Sequence, residues 1–290
     1  MDRVRLLVRE SHPTSDTEKE AMKLSAVRMC IVAILVAVFC YPADSPVRAQ
    51  QGACATQIGP KKPDLIVDQK LLRSQIFLAT EKVPKGSCTI MEGCVTTPGK
   101  HLVLRFNGST ANIGEADLVI GNPPNCGSLL HYDACHQHYH FTQFTDYRIW
   151  TSAGYDEWVA HRDLTIPANT GINDQLITSA QSKGLLITKR KQGFCLADDS
   201  QYLPTAGPAV YRNCETSEGL SIGWEVQYPP QIPCQFIQID GLVAGIYVLE
   251  MHVNPELVLP ESDYTNNTGA VKFQFTPKRG NRKPTIQVIS

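Results

Sequence analysis

Residues 246–253 read Ile-Tyr-Val-Leu-Glu-Met-His-Val, with Tyr, Leu, Met and Val at every second position. Successive side chains of a β-strand point to opposite faces, so one face is wholly apolar and the other carries Glu250 and His252. Such a strand suits a sheet that a core covers on one side. The stretch therefore predicts a half-buried β-strand.

Comparable short runs, rich in Val, Ile, Leu, Phe and Tyr and bounded by turn residues, continue from Pro63 to the end of the chain. The predicted strands are 64–67, 101–106, 117–120, 136–150, 185–189, 236–239, 246–253 and 270–275. No stretch keeps the 3.6-residue period of a helix, and 19 Pro and 20 Gly supply many turns. We expect a mainly β fold, a single β-sandwich-like domain with long loops and little helix.

Residues 1–49 are organised like a targeting segment. A polar, basic stretch leads into an apolar run at 29–41, and Pro42 and Pro46 follow. The run is too short to span a bilayer comfortably, which favours a cleaved signal peptide; the long leader keeps an N-terminal anchor as the alternative. We expect a secreted or extracytoplasmic protein with no membrane contact once the signal is removed.

The charge balance does not favour a polyanionic partner such as nucleic acid. The chain has 27 Lys and Arg against 28 Asp and Glu, and 20 against 22 without residues 1–49. Residues 50–62 read as a polar entry segment, and residues 277–290 as a basic, solvated tail. We therefore expect no nucleic-acid partner.

Eight cysteines follow the targeting segment. They are Cys54, Cys88, Cys94, Cys126, Cys135, Cys195, Cys214 and Cys234. An even count in an exported chain indicates disulfides rather than thiolate metal ligands. Spacing leaves the connectivity open, except that Cys88 and Cys94 are close enough to close one loop. The β domain is thus expected to be disulfide-stapled.

Residues 153–183 interrupt the strand pattern. They contain Pro167, Asn169, Gly171 and many Ser and Thr. We interpret them as an insertion, either a loop or a small lobe, and long excursions of this kind often cover a binding site.

Three of the eight histidines lie within five residues, at His136, His138 and His140. On a strand all three would share one face, and imidazole nitrogen suits copper, zinc, iron or nickel. At roughly 3.3 Å per residue, the first and last are about 13 Å apart on a straight strand, while a metal–nitrogen bond is about 2 Å. The three can share one ion only if the strand curls or carries a bulge.

This cluster stands in the sequence Cys-His-Gln-His-Tyr-His at 135–140, which resembles the copper-binding signature of the lysyl oxidases. Three further segments strengthen the resemblance, in the same order along the chain. They are Pro63-Asp64-Leu65, Lys191-Gln192-Gly193-Phe194-Cys195-Leu196-Ala197-Asp198, and Val253-Asn254-Pro255 followed by residues 260–267. The resemblance spans 63–276, which we interpret as a lysyl oxidase-like catalytic domain containing the 153–183 insertion.

The resemblance implies a copper-dependent amine oxidase that uses dioxygen. Its substrates would be peptidyl lysine or small primary amines, converted to aldehyde with release of hydrogen peroxide and ammonia. It implies copper bound by His136, His138 and His140, and a second cofactor, lysine tyrosylquinone, made from Lys191 and Tyr228. Lys189 is the alternative lysine.

The quinone has a chemical reason of its own. Copper and oxygen can oxidise a tyrosine ring to an electrophile that no ordinary side chain supplies, and a nearby lysine amine can then add to it. A general base must also remove a proton from the substrate carbon. Asp146, further along the histidine-bearing strand, is the candidate for that base.

A second group of residues offers hard oxygen ligands of the kind that calcium takes. The group comprises Asp64, Leu65, Glu261, Asp263, Asn266 and Asn267. Family members resemble one another here, and the resemblance implies a possible calcium ion. The alternative is a polar turn in which Asp263 and Asn266 satisfy backbone groups.

The chain also departs from the family pattern. Trp224 stands where the family has a cysteine, and Asp133 where relatives often carry another histidine. With these departures, the resemblance implies four disulfide pairs. They are Cys195–Cys234, Cys135–Cys214, Cys88–Cys94 and Cys54–Cys126.

A different class of function fits the same histidines. A non-enzymatic exported β-sandwich that binds copper or zinc would keep them without using Lys191 and Tyr228. The lysine and the tyrosine therefore separate the two hypotheses.

Overall fold

The computed structural model describes Cys54 and residues 59–289, except the side chains of Lys191 and Gln192. The targeting segment predicted for 1–49 and most of the entry segment 50–62 lie outside these residues. Within the described part, no helix is both long enough and apolar enough to cross a bilayer.

The described residues form a mainly β structure, which confirms the expected fold class. The strands are β1 (Leu65–Val67), β2 (Ile76–Val83), β3 (Gly99–Phe106), β4 (Gly108–Asn112), β5 (Leu118–Gly121), β6 (Leu130–Asp133), β7 (His138–Thr151), β8 (Leu186–Phe194), β9 (Ser200–Gln201), β10 (Glu218–Leu220), β11 (Trp224–Tyr228), β12 (Phe236–Gln238), β13 (Gly245–Val253), β14 (Thr268–Thr276) and β15 (Thr285–Val288). The helices are α1 (Gln69–Ser74), α2 (Cys88–Met91), α3 (Ser152–His161) and α4 (Gly171–Ser182), with a 3-10 turn at Pro123–Asn125. Seven strands were not predicted from the sequence, namely β2, β4, β6, β9, β10, β11 and β15.

The largest sheet has the order β15-β14-β13-β7-β6, with β8 also paired to β7. Smaller sheets are β1-β4-β11-β9, β12-β3-β2 and β10-β5. All these pairings are antiparallel. Strand β7 is central because it carries two of the three clustered histidines and pairs with three other strands.

The main core lies between the largest sheet and the smaller sheets. The apolar face predicted for β13 contributes Tyr247, Leu249, Met251 and Val253 to this core. Tyr147 of β7 meets Phe106 of β3 edge to face, with ring centroids 4.8 Å apart. Burial of these large apolar side chains joins the sheets.

The second face of β13 is also buried, so the prediction of a half-buried strand is wrong. Glu250 and His252 are 0% and 2% exposed. Helices α3 and α4 help to cover this face, and Trp158 of α3 stacks on Trp150 at 5.5 Å between ring centroids. A second, smaller core therefore forms under the helices.

The insertion predicted at 153–183 is thus largely a helical lobe. Its helices gave little periodic signal because α3 buries only Gly154 and Trp158. None of residues 153–183, all of which the structure describes, lines the cavity that the rings of His136, His138 and His140 border. The lobe does not cover the histidine cluster, contrary to the expectation that it covers the binding site.

The structure contains four disulfides. They are Cys54–Cys126, Cys88–Cys135, Cys94–Cys234 and Cys195–Cys214. The pair Cys54–Cys126 is confirmed, whereas Cys88–Cys94, Cys135–Cys214 and Cys195–Cys234 are wrong.

Tertiary packing decides these pairs, not spacing. The short helix α2 begins at Cys88, beside the turn that follows β6, while Cys94 faces the segment before β12. Backbone hydrogen bonds from Asp198 to Tyr211 and from Gly219 to Leu196 hold the 211–219 loop against the end of β8. Cys214 therefore meets Cys195, and Cys94 takes Cys234.

Glu250 holds the helical lobe to the sheet. Its Oε2 accepts the indole N–H of Trp150 at 2.9 Å, and its Oε1 accepts that of Trp158 at 2.8 Å. Arg148 and Arg162 add ion pairs at 3.3 and 2.6 Å. One buried carboxylate thus satisfies two indoles and two guanidinium groups.

We expect Glu250→Gln to lower the free energy of unfolding by about 3 kcal/mol, because buried Arg148 loses one of its counter-charges. Urea denaturation measures the change, with Glu215→Gln, at an exposed position, as the control. Equal stability of the two variants would contradict the role of Glu250.

Candidate metal centre

The three histidines lie on two different backbone elements, a turn and a strand. His138 and His140 lie in β7, but His136 lies in the turn before it, so the prediction that one strand carries all three is wrong. Gln137 has a left-handed backbone, with φ of 60°, and its N–H donates to the Asp133 carbonyl at 2.7 Å. The tight turn shortens the distance that a straight strand would impose.

The turn brings the three rings together. Ring centroids are 5.8 Å apart for His136 and His138, 5.3 Å for His136 and His140, and 4.7 Å for His138 and His140. The Nε2 atoms of His138 and His140 are 2.9 Å apart. Burial and the neighbouring His138 lower the pKa of His140 to about 4, so this ring is neutral at pH 7. Three converging imidazoles, with the His140 ring neutral, fit copper or zinc.

Carboxylates surround the histidines, and the sequence-based site did not include them. Asp133 Oδ1 accepts the N–H groups of Cys135 and His136 at 2.7 and 3.1 Å, while Oδ2 is 3.6 Å from His140 Nδ1. Glu92 Oε1 is 3.5 Å from His136 Nε2. Asp133 could have been found from the sequence, because an Asp just before the first histidine is a typical turn residue whose side chain binds backbone N–H groups. The Cys88–Cys135 disulfide holds the helix that precedes Glu92 beside His136. No local sequence pattern predicts that Glu92 lies there.

Tyr228 lies at the end of β11 and borders the histidines. It is 4% exposed, stacks on Phe194 at 3.8 Å between ring centroids, and donates its hydroxyl to the Cys195 carbonyl at 2.8 Å. Burial raises the pKa of Tyr228 well above its ordinary value. Its side chain and the rings of His136, His138 and His140 line one cavity of about 440 Å³.

Lys191 lies in β8, where its backbone pairs with Asp146 of β7. Its side chain is outside the described residues. Lys189, the alternative lysine, is exposed on the same strand. Gly193 explains part of the surrounding motif, because a Cβ there would lie 2.7 Å from the Phe141 carbonyl oxygen. Only glycine lets β8 approach the irregular pairing with β7 so closely.

Comparison with known proteins identifies the family of this chain. The family model described as lysyl oxidase matches residues 63–162 and 177–283. The chain belongs to the lysyl oxidase family. The matched ranges omit 163–176, which lies between α3 and α4 and in the first part of α4.

Relatives in the lysyl oxidase family are distant. Lysyl oxidase homolog 1 of Homo sapiens is 27% identical over 244 residues, which is 79% of this chain and 37% of that protein. Protein-lysine 6-oxidase of Homo sapiens is 27% identical over 226 residues, 74% of this chain and 46% of that protein. For the Sus scrofa protein of the same name the figures are 26%, 74% and 77%. The chain spans less than half the length of these two human relatives.

Asp146, the candidate base, is not among the described residues that line the cavity. It is buried, and its Oδ2 forms an ion pair with Arg148 at 2.7 Å. The structure therefore does not bring Asp146 together with the histidine rings.

The predicted calcium ligands form a hydrogen-bonded clasp. Glu261 Oε2 accepts the Leu65 N–H at 2.7 Å, and Oε1 accepts the side-chain amides of Asn254 and Asn267 at 2.6 and 2.8 Å. Asn266 donates to Asp64 Oδ1 at 2.9 Å. These three N–H groups leave acceptor capacity on the Glu261 carboxylate, so the calcium site stays a prediction.

Asp263, the remaining member of that set, is exposed. Its Oδ1 accepts the backbone N–H and the hydroxyl of Thr265 at 2.7 and 2.6 Å. These contacts match the polar turn that was the alternative to a calcium site.

Glu218 is a buried acid close to Tyr228, and sequence reasoning missed this glutamate. The peptide group between Cys195 and Leu196 links the two, because its carbonyl accepts the Tyr228 hydroxyl and its N–H donates to Glu218 Oε2 at 3.1 Å. Burial raises the pKa of Glu218 to about 8. The carboxyl is therefore mostly protonated at pH 7.

We expect Asp133→Ala to weaken copper binding about 10- to 100-fold, because the carboxylate orients His140 and closes the turn. Asp133→Asn keeps an acceptor for the turn and loses only the charge, so its effect should be smaller. Competition with a chelator measures both affinities. Asp263→Asn, at a similar but remote turn, is the control; affinities equal to the control would refute this role for Asp133.

A second prediction concerns pH and Glu218. Between about pH 4.5, the ordinary pKa, and about pH 8, the folded protein retains a proton that the unfolded chain releases. Stability therefore falls through this window as pH rises, by at most about 1.4 kcal/mol per pH unit.

The Glu218→Gln variant has no ionisable group at this position. We therefore expect its free energy of unfolding to change less with pH than that of the parent protein. Urea denaturation between pH 5 and 9 makes the comparison. Burial also raises the pKa of Glu261, to about 7, but this group contributes equally to both proteins. Parallel profiles would mean that Glu218 does not change protonation on folding.

Proposed function

We propose that the protein is a secreted copper-dependent amine oxidase. It would oxidise primary amines, such as peptidyl lysine or small amines, to aldehydes with dioxygen, releasing hydrogen peroxide and ammonia. The observation that carries the proposal is that His136, His138, His140 and Tyr228 line one cavity. The relatives named protein-lysine 6-oxidase support the reaction class.

His136, His138 and His140 would hold the copper. The fit rests on the close approach of the His138 and His140 Nε2 atoms and on the neutral state of His140. The carboxylates of Asp133 and Glu92 border these rings and would offset the charge of a bound cation. Bound copper would supply the redox chemistry that oxidises the ring of Tyr228.

Tyr228 and Lys191 would form the lysine tyrosylquinone, whose chemistry is an electrophilic carbonyl that reacts with a primary amine. The chain's own residues fix the tyrosine ring. Phe194 stacks on one face, and the Cys195 carbonyl accepts the hydroxyl and limits its rotation. The Cys195–Cys214 disulfide holds that carbonyl in the cavity wall.

The assignment of Asp146 as the base stays a prediction, because the ion pair with Arg148 leaves it without a described path to the cavity. A calcium ion bound by Asp64, Leu65 and residues 261–267 likewise stays a prediction, because the Glu261 carboxylate keeps acceptor capacity beside its three N–H donors. Action outside the cytoplasm is supported by the four disulfides.

Peptide mass spectrometry of copper-loaded, aerated protein tests the proposal. We expect a cross-linked peptide joining Lys191 to Tyr228, together with amine-dependent peroxide release. Tyr228→Phe should abolish both while copper binding persists, because Phe lacks the phenol that is oxidised and the histidines are unchanged. Lys189→Arg is the control and should keep both.

A copper-loaded protein with neither cross-link nor peroxide release would contradict the oxidase. It would favour the alternative of a non-enzymatic copper- or zinc-binding protein.

A further inference from the structure

Two opposite charges lie at the opening of the cavity. Asp199 and Arg212 both line it and both remain exposed to solvent, which places them where the cavity meets the surface. Among the described residues that line the cavity, Asp199 alone carries a carboxylate and Arg212 alone a guanidinium. No ion pair joins them or ties either one to another described side chain.

The fold holds these two residues on adjacent segments. The backbone N–H of Asp198 donates to the Tyr211 carbonyl at 2.7 Å, and Asp198 Oδ2 accepts the N–H groups of Val210 and Tyr211 at 2.7 and 3.1 Å. Asp199 and Arg212 each follow this junction by one residue. The buried Asp198 carboxylate therefore holds the two segments that carry Asp199 and Arg212 together.

The two charges differ in their relation to Tyr228. Asp199 Oδ2 accepts the N–H of Gln227, the residue before Tyr228, at 2.9 Å. The Asp199 charge also contributes to the raised pKa of Tyr228, whereas Arg212 is not among the groups that affect it. The negative charge of Asp199 is thus held next to the residue that precedes the reactive ring.

The wall of the same cavity is partly apolar. Phe194, Ala197, Ile232 and Pro233 line the same cavity. An alkyl chain can pack against such side chains, while its ends are recognised by charge. The order along the cavity would then be ammonium at Asp199, methylene groups at the wall, and an anion at Arg212.

We propose that Asp199 and Arg212 select primary alkylamines that also carry a carboxylate at the far end of the chain. Asp199 receives the ammonium beside Tyr228, and Arg212 binds the carboxylate. This selectivity rests on the proposed amine oxidase function. The carboxylate can belong to a free ω-amino acid or to an acidic residue next to a peptidyl lysine.

The test compares 6-aminohexanoate with hexylamine, which differ in the terminal carboxylate. We expect kcat/KM for 6-aminohexanoate to exceed that for hexylamine by about tenfold, and Arg212→Gln to remove most of this ratio. Asp199→Asn should lower kcat/KM for both amines. Arg279→Gln, at an exposed position outside the cavity, is the control and should keep the parent ratio.

Two peptides distinguish the sources of the carboxylate. Capped Gly-Lys-Glu and Gly-Lys-Gln differ only in charge beside the lysine. A preference for the Glu peptide that depends on Arg212 identifies a peptide substrate, whereas a preference confined to 6-aminohexanoate identifies a free amino acid.

Equal kcat/KM for both amines, or a ratio that Arg212→Gln leaves unchanged, would overturn the proposed selectivity and leave the oxidase intact. If no amine is oxidised, the proposed function fails instead, and calorimetric binding of the two amines decides the selectivity alone. Tighter binding of 6-aminohexanoate that Arg212→Gln abolishes supports it; equal binding refutes it.

Discussion

The contact between Asp133 and the turn at 135–137 is the constraint on which the candidate site depends. Without that turn, His136 would continue β7 and lie about 13 Å from His140 along an extended strand. The Asp133 carboxylate accepts two backbone N–H groups and closes the turn, and left-handed Gln137 completes it. His136 is thereby brought back to within 5.3 Å of His140, centroid to centroid.

Strands β8 and β11 meet at this end of the molecule, and their residues form other parts of the cavity wall. The Cys195–Leu196 peptide joins the Tyr228 hydroxyl on one side to Glu218 on the other, and the Cys195–Cys214 disulfide fixes it. The opposite end of β7 serves stability instead, because Glu250 binds the helical lobe there. One long strand thus separates a reactive end from a structural end.

Sequence reasoning found what local chemistry encodes. The alternation at 246–253 identified β13 and its core face, and three imidazoles within five residues identified the cluster. It failed where tertiary structure decides: α3 buries too few residues to give a helical period, and three disulfide pairs depend on strands that meet from remote parts of the chain. Asp146 shares a strand with the histidines, and its role as the base stays a prediction, because it pairs with Arg148 and is not among the described residues that line the cavity.

Anomalous diffraction at the copper edge, from crystals of the copper-loaded protein, is the most direct test of the account. A single strong peak among His136, His138 and His140, at the wall of the cavity that contains Tyr228, is the predicted result. A peak elsewhere, or one bound only by His138 and His140 with His136 turned away, would contradict it.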